Sequence, residues 1–152
     1  MKEYYLNIFK YDFWANMKLI QSLKEQNIND ESLLRLLSHM VIAELVWINR
    51  IKNLNYGGLK IWDLLSLEEC EKIAKEVNAG YLEYIGGLFE DDFNGMMTYK
   101  NTKGIEFENT IRETLIHVAF HSTYHRGQIA KEVRKLNKEP VLTDYIAFVR
   151  EV

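Results

Sequence analysis

The sequence predicts an all-α fold: an antiparallel four-helix bundle with a small β-hairpin before the last long helix and a short C-terminal helix. Three observations predict it. Four long stretches repeat apolar residues at the helical period. The single proline is Pro140, while Leu, Lys, Glu, Ile and Ala are plentiful. Caps and turn signals separate the stretches where helices have to start and stop. At 152 residues the chain fits one domain, residues 1–152, and can bury about two-thirds of its unfolded surface in one core. Neither an internal repeat, nor a low-complexity tract, nor a linker interrupts it.

The first helix is expected from about Glu3 to Gln26, because Tyr5, Ile8, Phe9, Leu19, Ile20 and Leu23 keep to one face. Asp12 and Asn16 share that face, either as a hydrogen-bonded pair at the bundle boundary or as groups that orient an imidazole or a bound water. Asn29 and Asp30 offer caps for a second helix from about Glu31 to Lys52, which ends before the turn signal Asn55-Tyr56-Gly57-Gly58. After a loop holding Ile61-Trp62-Asp63, the capping box Ser66-Leu67-Glu68-Glu69 starts a third helix. Its apolar face is Ile73, Val77, Tyr81, Tyr84 and Leu88, and Gly80 and Gly86-Gly87 weaken it toward a bend or fraying. Met97-Thr98-Tyr99 and Ile105-Glu106-Phe107 flank Asn101-Thr102-Lys103-Gly104 as a hairpin capping one end of the bundle. A second capping box, Thr110-Ile111-Arg112-Glu113, opens a helix to about Leu136 or Asn137, and Pro140 bars its continuation. Thr143-Asp144 then cap a terminal helix whose Tyr145, Ile146, Phe148 and Val149 are expected to tuck back onto the bundle.

Within the fourth long helix, the stretch His117 to Gln128, HVAFHSTYHRGQ, holds three of the four histidines at a spacing of four. With about 40° of drift per step, His117, His121 and His125 share one stripe, continued by Thr114, Gln128 and Glu132. Two imidazoles one turn apart can reach a single cation at about 2.0–2.1 Å from each nitrogen. Three span about 12 Å of axis, so one pair chelates and another helix completes the set. Spacing leaves open which pair. His39 has Leu36, Ile42, Ala43 and Val46 within about 60° of it, so it faces the core and is the natural third ligand. Glu44 falls off that stripe and is expected to be solvated or salt-bridged, although a boundary carboxylate there could still reach the site. A lone histidine on a semi-apolar helix is usually a hydrogen-bonded core residue. Three on one stripe, with a fourth on another apolar helix, favour a metal or proton-transfer site.

Nineteen basic against twenty-two acidic residues leave a net charge of −3. No Lys/Arg cluster interleaves with aromatics, which argues against a nucleic-acid partner. Lys2, Glu3, Lys10 and Asp12 deny the N-terminal turns the apolar core of a signal peptide or a membrane span, so a cytoplasmic protein without a membrane partner is expected. The single cysteine, Cys70, excludes an intramolecular disulfide and fits a reducing compartment. Among Glu68, Glu69 and Glu71 its thiolate is disfavoured, so it reads as a passive thiol.

His121-Ser122-Thr123-Tyr124-His125-Arg126-Gly127-Gln128-Ile129 resembles the HxxxHRGQI signature of the DinB/YfiT-like family of metal-binding bundles, the DinB superfamily. Tyr11 to Asn16 is similar to the aromatic and Trp-x-Asn pattern of their first helix, and Leu36 to Arg50 to their HxxxxExxWxxR segment. Pro140 to Phe148, PVLTDYIAF, is similar to their ending, so the resemblance runs through nearly the whole chain. It implies an up-down-down-up bundle, often a homodimer, binding a divalent metal ion such as zinc or nickel through three histidines. Those positions fall on His39, His121 and His125 here. His117 matches a histidine common in the family but not one of the three. Some family members transfer groups to or from low-molecular-weight thiols such as bacillithiol or mycothiol, one class isomerises maleylpyruvate, and many have no assigned substrate. No motif here selects among these small-molecule substrates.

The expected chemistry is therefore that of a metal-dependent enzyme, of thiol S-transferase or hydrolase type. Its open three-histidine site would bring a bound thiol or water toward ionisation at neutral pH. His117, Gln128 or Asp12 would hold ligand tautomers or move a proton. The competing reading is a non-catalytic, stress-related metal-binding protein whose site is structural or vestigial. A structural zinc site is closed and four-coordinate, and the sequence offers no obvious fourth protein ligand.

Overall fold

Capping chemistry sets where the helices of this computed structural model begin. The structure describes residues 1–54, 58–101 and 103–151. Asn55, Tyr56 and Gly57 of the expected turn, Thr102 of the hairpin loop and Val152 lie outside the described residues. Helix α1 spans Lys2–Glu25, and α2 spans Glu31–Ile51 behind Asp30, whose carboxylate accepts the Leu33 N–H at 3.0 Å. Helices α3 (Leu67–Gly87) and α4 (Ile111–Lys135) both start in complete capping boxes, Ser66 with Glu69 and Thr110 with Glu113.

Asparagine supplies three of the stops. Asn27, Asn53 and Asn137 adopt φ of 51°, 53° and 55°, beyond the ends of α1, α2 and α4. In each case the next N–H turns back to a carbonyl five residues earlier: Ile28 to Leu23, Leu54 to Asn49, Lys138 to Val133. This left-handed closure satisfies carbonyls that the helix end leaves without partners, and asparagine tolerates it better than other non-glycine residues.

Helix directions follow from side-chain pairs. Along α1 and α3, Lys2 meets Gly86, Phe9 stacks on Tyr81 and Lys24 reaches Glu71, so these helices run in opposite directions. α2 and α3 run in parallel, from Ser38 beside Cys70 to Lys52 beside Glu83. α4 opposes α2, pairing His39 with His125, Glu44 with Ser122 and Trp47 with His117. The path is up-down-down-up, and because α2 and α3 are parallel, the connection between them must travel back along the bundle. At Gly80 the two helices are close enough that a Cβ would make ordinary contact with Ile48 Cγ1, at 3.4 Å.

After a 3-10 turn at Asp91–Asn94, strands β1 (Met96–Lys100) and β2 (Glu106–Thr110) pair antiparallel, Met96 opposite Thr110 and Lys100 opposite Glu106. The hairpin sits where α2 ends and α4 starts, with Tyr99 edge-on to Trp47 at 4.9 Å. Helix α5 (Tyr145–Glu151) corrects one expectation: of the four residues expected to tuck back only Phe148 is buried, against Tyr11 and Trp14, while Tyr145 lies edge-on to Tyr11 but stays about half exposed and Ile146 and Val149 are exposed. A seven-residue helix packed mainly on α1 has room to bury little more than one side chain. Among the described residues no helix is long and apolar enough to cross a membrane.

Two apolar clusters fill the bundle. One gathers Leu19, Leu23, Leu37, Val41, Ile129 and Val133, and the other Tyr5, Phe9, Tyr81, Phe93, Leu115 and Val118. Cys70 belongs to the first, and burial, more than the neighbouring Glu69 and Glu68, pushes its thiol up to about 11. The folded protein is accordingly expected to leave a chromogenic disulfide reagent unreacted at pH 8, and urea to release one thiol per chain. Rapid labelling before unfolding would show Cys70 accessible.

Candidate metal centre

The opposed α2 and α4 bring four imidazoles to one side of the bundle. His39, His121 and His125 each present a ring nitrogen, and these nitrogens lie within 4.8 Å of one another. His121 Nε2 and His125 Nε2 are 3.1 Å apart. Two nitrogens each about 2.0–2.1 Å from one ion are about 3.3 Å apart at a tetrahedral angle and about 2.9 Å apart at a right angle. The observed spacing fits a shared cation.

Outer hydrogen bonds aim two of the rings. His39 Nδ1–H donates to the Ile61 carbonyl at 3.0 Å, and His125 Nδ1–H to Gln128 Oε1 at 2.7 Å, which turns both Nε2 lone pairs toward the common point. Trp62 stacks on His39 with ring centroids 3.7 Å apart and planes 8° from parallel. Among the described residues no fourth histidine, cysteine or carboxylate joins the group. The donor set fits a divalent transition metal with positions left for an exogenous ligand.

The other candidates fall elsewhere. His117 is exposed, edge-on to Trp47, with its ring centred 5.7 Å from that of His121. Gln128 touches His125 as described. Asp12 is buried against Arg126, Nη1 to Oδ1 at 2.6 Å, and Asn16 joins the same guanidinium nitrogen at 2.7 Å. Asp12 therefore orients Arg126, with no hydrogen bond to the three histidines among the described residues.

Glu44 is corrected outright. It is buried, accepting hydrogen bonds from Asn16 Nδ2 at 3.0 Å and Ser122 Oγ at 2.5 Å. Burial, and then the nearby Asp12 charge, pushes its carboxyl well above the usual range. Asp12, Asn16, Glu44, Ser122 and Arg126 thus form a polar layer between the two apolar clusters, behind the histidines.

Burial lowers His121 to about 4, helped by His125, His39 and His117. It also lowers His39, against the Ile61 carbonyl, and His125, against Gln128. These imidazoles are neutral near pH 7, the form that binds metal. In the metal-free protein they stay neutral where the unfolded chain already takes up protons, below about pH 6.5. Stability present above that pH is expected to fall as pH drops toward 4. Urea titrations of the metal-free protein at pH 7.5 and pH 5 check this, and an unchanged or higher midpoint at pH 5 would contradict it.

The DinB family model matches residues 15–151. The chain belongs to the DinB family. Protein DinB of Bacillus subtilis (strain 168) is 26% identical over 167 aligned residues, covering 95% of this chain and 93% of that protein. The crystal structure of a DinB-like protein from Bacillus cereus ATCC 10987 superposes with a TM-score of 0.72 at 18% identity, covering 92% of this chain and 95% of that one. That likeness shows the shared bundle fold.

In this DinB-family chain, sequence reasoning missed four groups around the histidines. The Ile61 carbonyl and the Trp62 ring come from a stretch without periodicity, so no pattern marked them. Ser122 and Arg126 did carry a signal, being polar residues at i, i+4 that share with each other a helix face about 100° from that of His121 and His125.

Proposed function

We propose that this protein is a metal-dependent enzyme acting on a small molecule, with His39, His121 and His125 holding a divalent ion, zinc or nickel. The chemistry that suits the site best is thiol S-transfer, with hydrolysis the related alternative. One observation carries the reading: three neutral imidazoles converge from two helices without a fourth protein ligand among the described residues. A cation held there supplies Lewis acidity that brings a coordinated thiol or water toward ionisation at neutral pH. The protein's own groups do the rest. Ile61 and Gln128 lock two ring tautomers, Trp62 shields one face of His39, and His117, whose ring edge meets Trp47, stands beside His121 to accept a proton.

The test is anaerobic loading, elemental analysis, and incubation with low-molecular-weight thiols and electrophiles. About one metal per chain with turnover supports the enzyme. Full loading without turnover across a broad panel supports the non-catalytic alternative, a structural or vestigial site in a stress-related protein.

We further propose a cytoplasmic homodimer formed through α4. Ile116, Phe120 and Tyr124 make an outward apolar row one turn apart, Phe120 being 72% exposed. Phe120→Glu is expected to halve the mass measured by light scattering, and an unchanged mass, dimeric or monomeric, would overturn the assignment.

A further inference from the structure

A cavity of about 210 Å³ opens beside the three histidines, with His39 and His121 on its wall and Trp47, Arg50, Ile61 and Asn101 completing it. Its charge is one-sided. No carboxylate is among its lining residues, and the single permanently charged side chain is Arg50. Arg35 and Arg126 have carboxylate partners. Arg50, like Arg112, Arg134 and Arg150, has none within 4.0 Å among the described residues, although Glu106 shares the wall of a neighbouring cavity with it. Its guanidinium is instead fixed by uncharged neighbours: Nη2 donates to the Lys100 carbonyl at 3.0 Å, and the group lies 4.7 Å from the Trp47 ring centre and 5.1 Å from that of Tyr99.

Arg50 is only partly buried, so its guanidinium keeps donors free for an incoming ligand. A guanidinium has five N–H donors in a fixed fork, and the Lys100 carbonyl occupies one. Two aromatic faces and a backbone carbonyl hold the fork's plane without cancelling its charge, which is how an arginine is prepared for a carboxylate. Its field reaches the histidine row, where it helps keep His117 neutral.

We propose that Arg50 anchors the substrate, and that the substrate is a small organic anion whose carboxylate meets the guanidinium while its reacting end faces the three histidines. The inference rests on the metal reading above and adds the substrate class to it. A divalent ion on neutral imidazoles, with an uncompensated arginine in the same cavity, selects for negative charge at both ends of a ligand. The cavity is smaller than the roughly 300–1,000 Å³ typical of drug-sized ligands, which suits a short chain.

Cobalt(II)-loaded protein tests this without turnover. The probes are 3-mercaptopropionate and 6-mercaptohexanoate, against the neutral 3-mercapto-1-propanol and 6-mercapto-1-hexanol, titrated by the thiolate-to-cobalt charge-transfer band. At one of the two lengths the carboxylate is expected to bind about tenfold tighter than its neutral partner, the weight of one charge-assisted contact. Arg50→Gln is expected to bring that ratio to about one with the cobalt spectrum unchanged, and Arg50→Lys to restore part of it. Equal affinities in the unaltered protein, or a preference that survives Arg50→Gln, would overturn the role of Arg50 alone. If cobalt does not load, or no thiol of either kind perturbs its band, the metal reading fails and this inference falls with it.

Discussion

His121→Ala is expected to empty the metal site. The three rings form a triangle, with centroids 5.2 Å apart for His39 and His121, 4.4 Å for His121 and His125 and 4.7 Å for His39 and His125, so removing His121 leaves two nitrogens on different helices. His39→Ala and His125→Ala are expected to do the same, whereas His117→Ala should keep the metal because its ring lies outside the convergent set. Gln128→Ala offers an internal scale. Removing an outer hydrogen-bond partner of a ligand typically costs about 10–100-fold in affinity, and loss of a ligand should exceed that. Competition against a chromophoric chelator ranks the variants, and the ranking fails if His117→Ala empties the site while His125→Ala leaves it full. Thermal stability should follow occupancy, since a ligand at about 1,000 times its Kd stabilises the folded state by about 4 kcal/mol.

Arg126→Met is expected to destabilise the fold by about 3–5 kcal/mol, the usual cost of leaving one half of a buried ion pair uncompensated. The guanidinium and the Asp12 carboxylate are both almost fully buried, and Asn16 and Thr123 also accept from it. Its loss strands Asp12 in the core beside Glu44. The double variant Arg126→Met with Asp12→Asn, which removes both charges, should recover a large part of the loss. Urea unfolding followed by circular dichroism measures both. A single-variant loss below about 1 kcal/mol would show that water reaches the layer and carries the charge. Because Arg126 follows His125 directly, such a variant should also weaken metal binding, through the position of α4 and not through a lost ligand.

The Asp30 cap, the two capping boxes, and the apolar faces of α1 to α4 could be read from sequence because each is a local matter of propensity or period. The convergence of His39 on the His121–His125 pair could be read in part, since a buried histidine on one apolar helix needs polar company from another. The asparagine stops were harder: a residue that tolerates φ > 0 marks a possible closure, and a further backbone hydrogen bond decides whether it is used.

By itself the sequence determined that four long helices form, where the capped ones start, and that His117, His121 and His125 share a stripe, because backbone hydrogen bonding and side-chain spacing act within a few residues. Spacing left open which pair joins His39, and only the family resemblance pointed to His121 and His125; the tertiary structure brings those three together with His117 outside, because the outcome depends on how α2 and α4 slide along one another. It also decided that Glu44 lies inside a polar layer. A residue about 140° from His39 on the same helix can face solvent or a second neighbour, and the packing of α1 against α4 turns that second face inward.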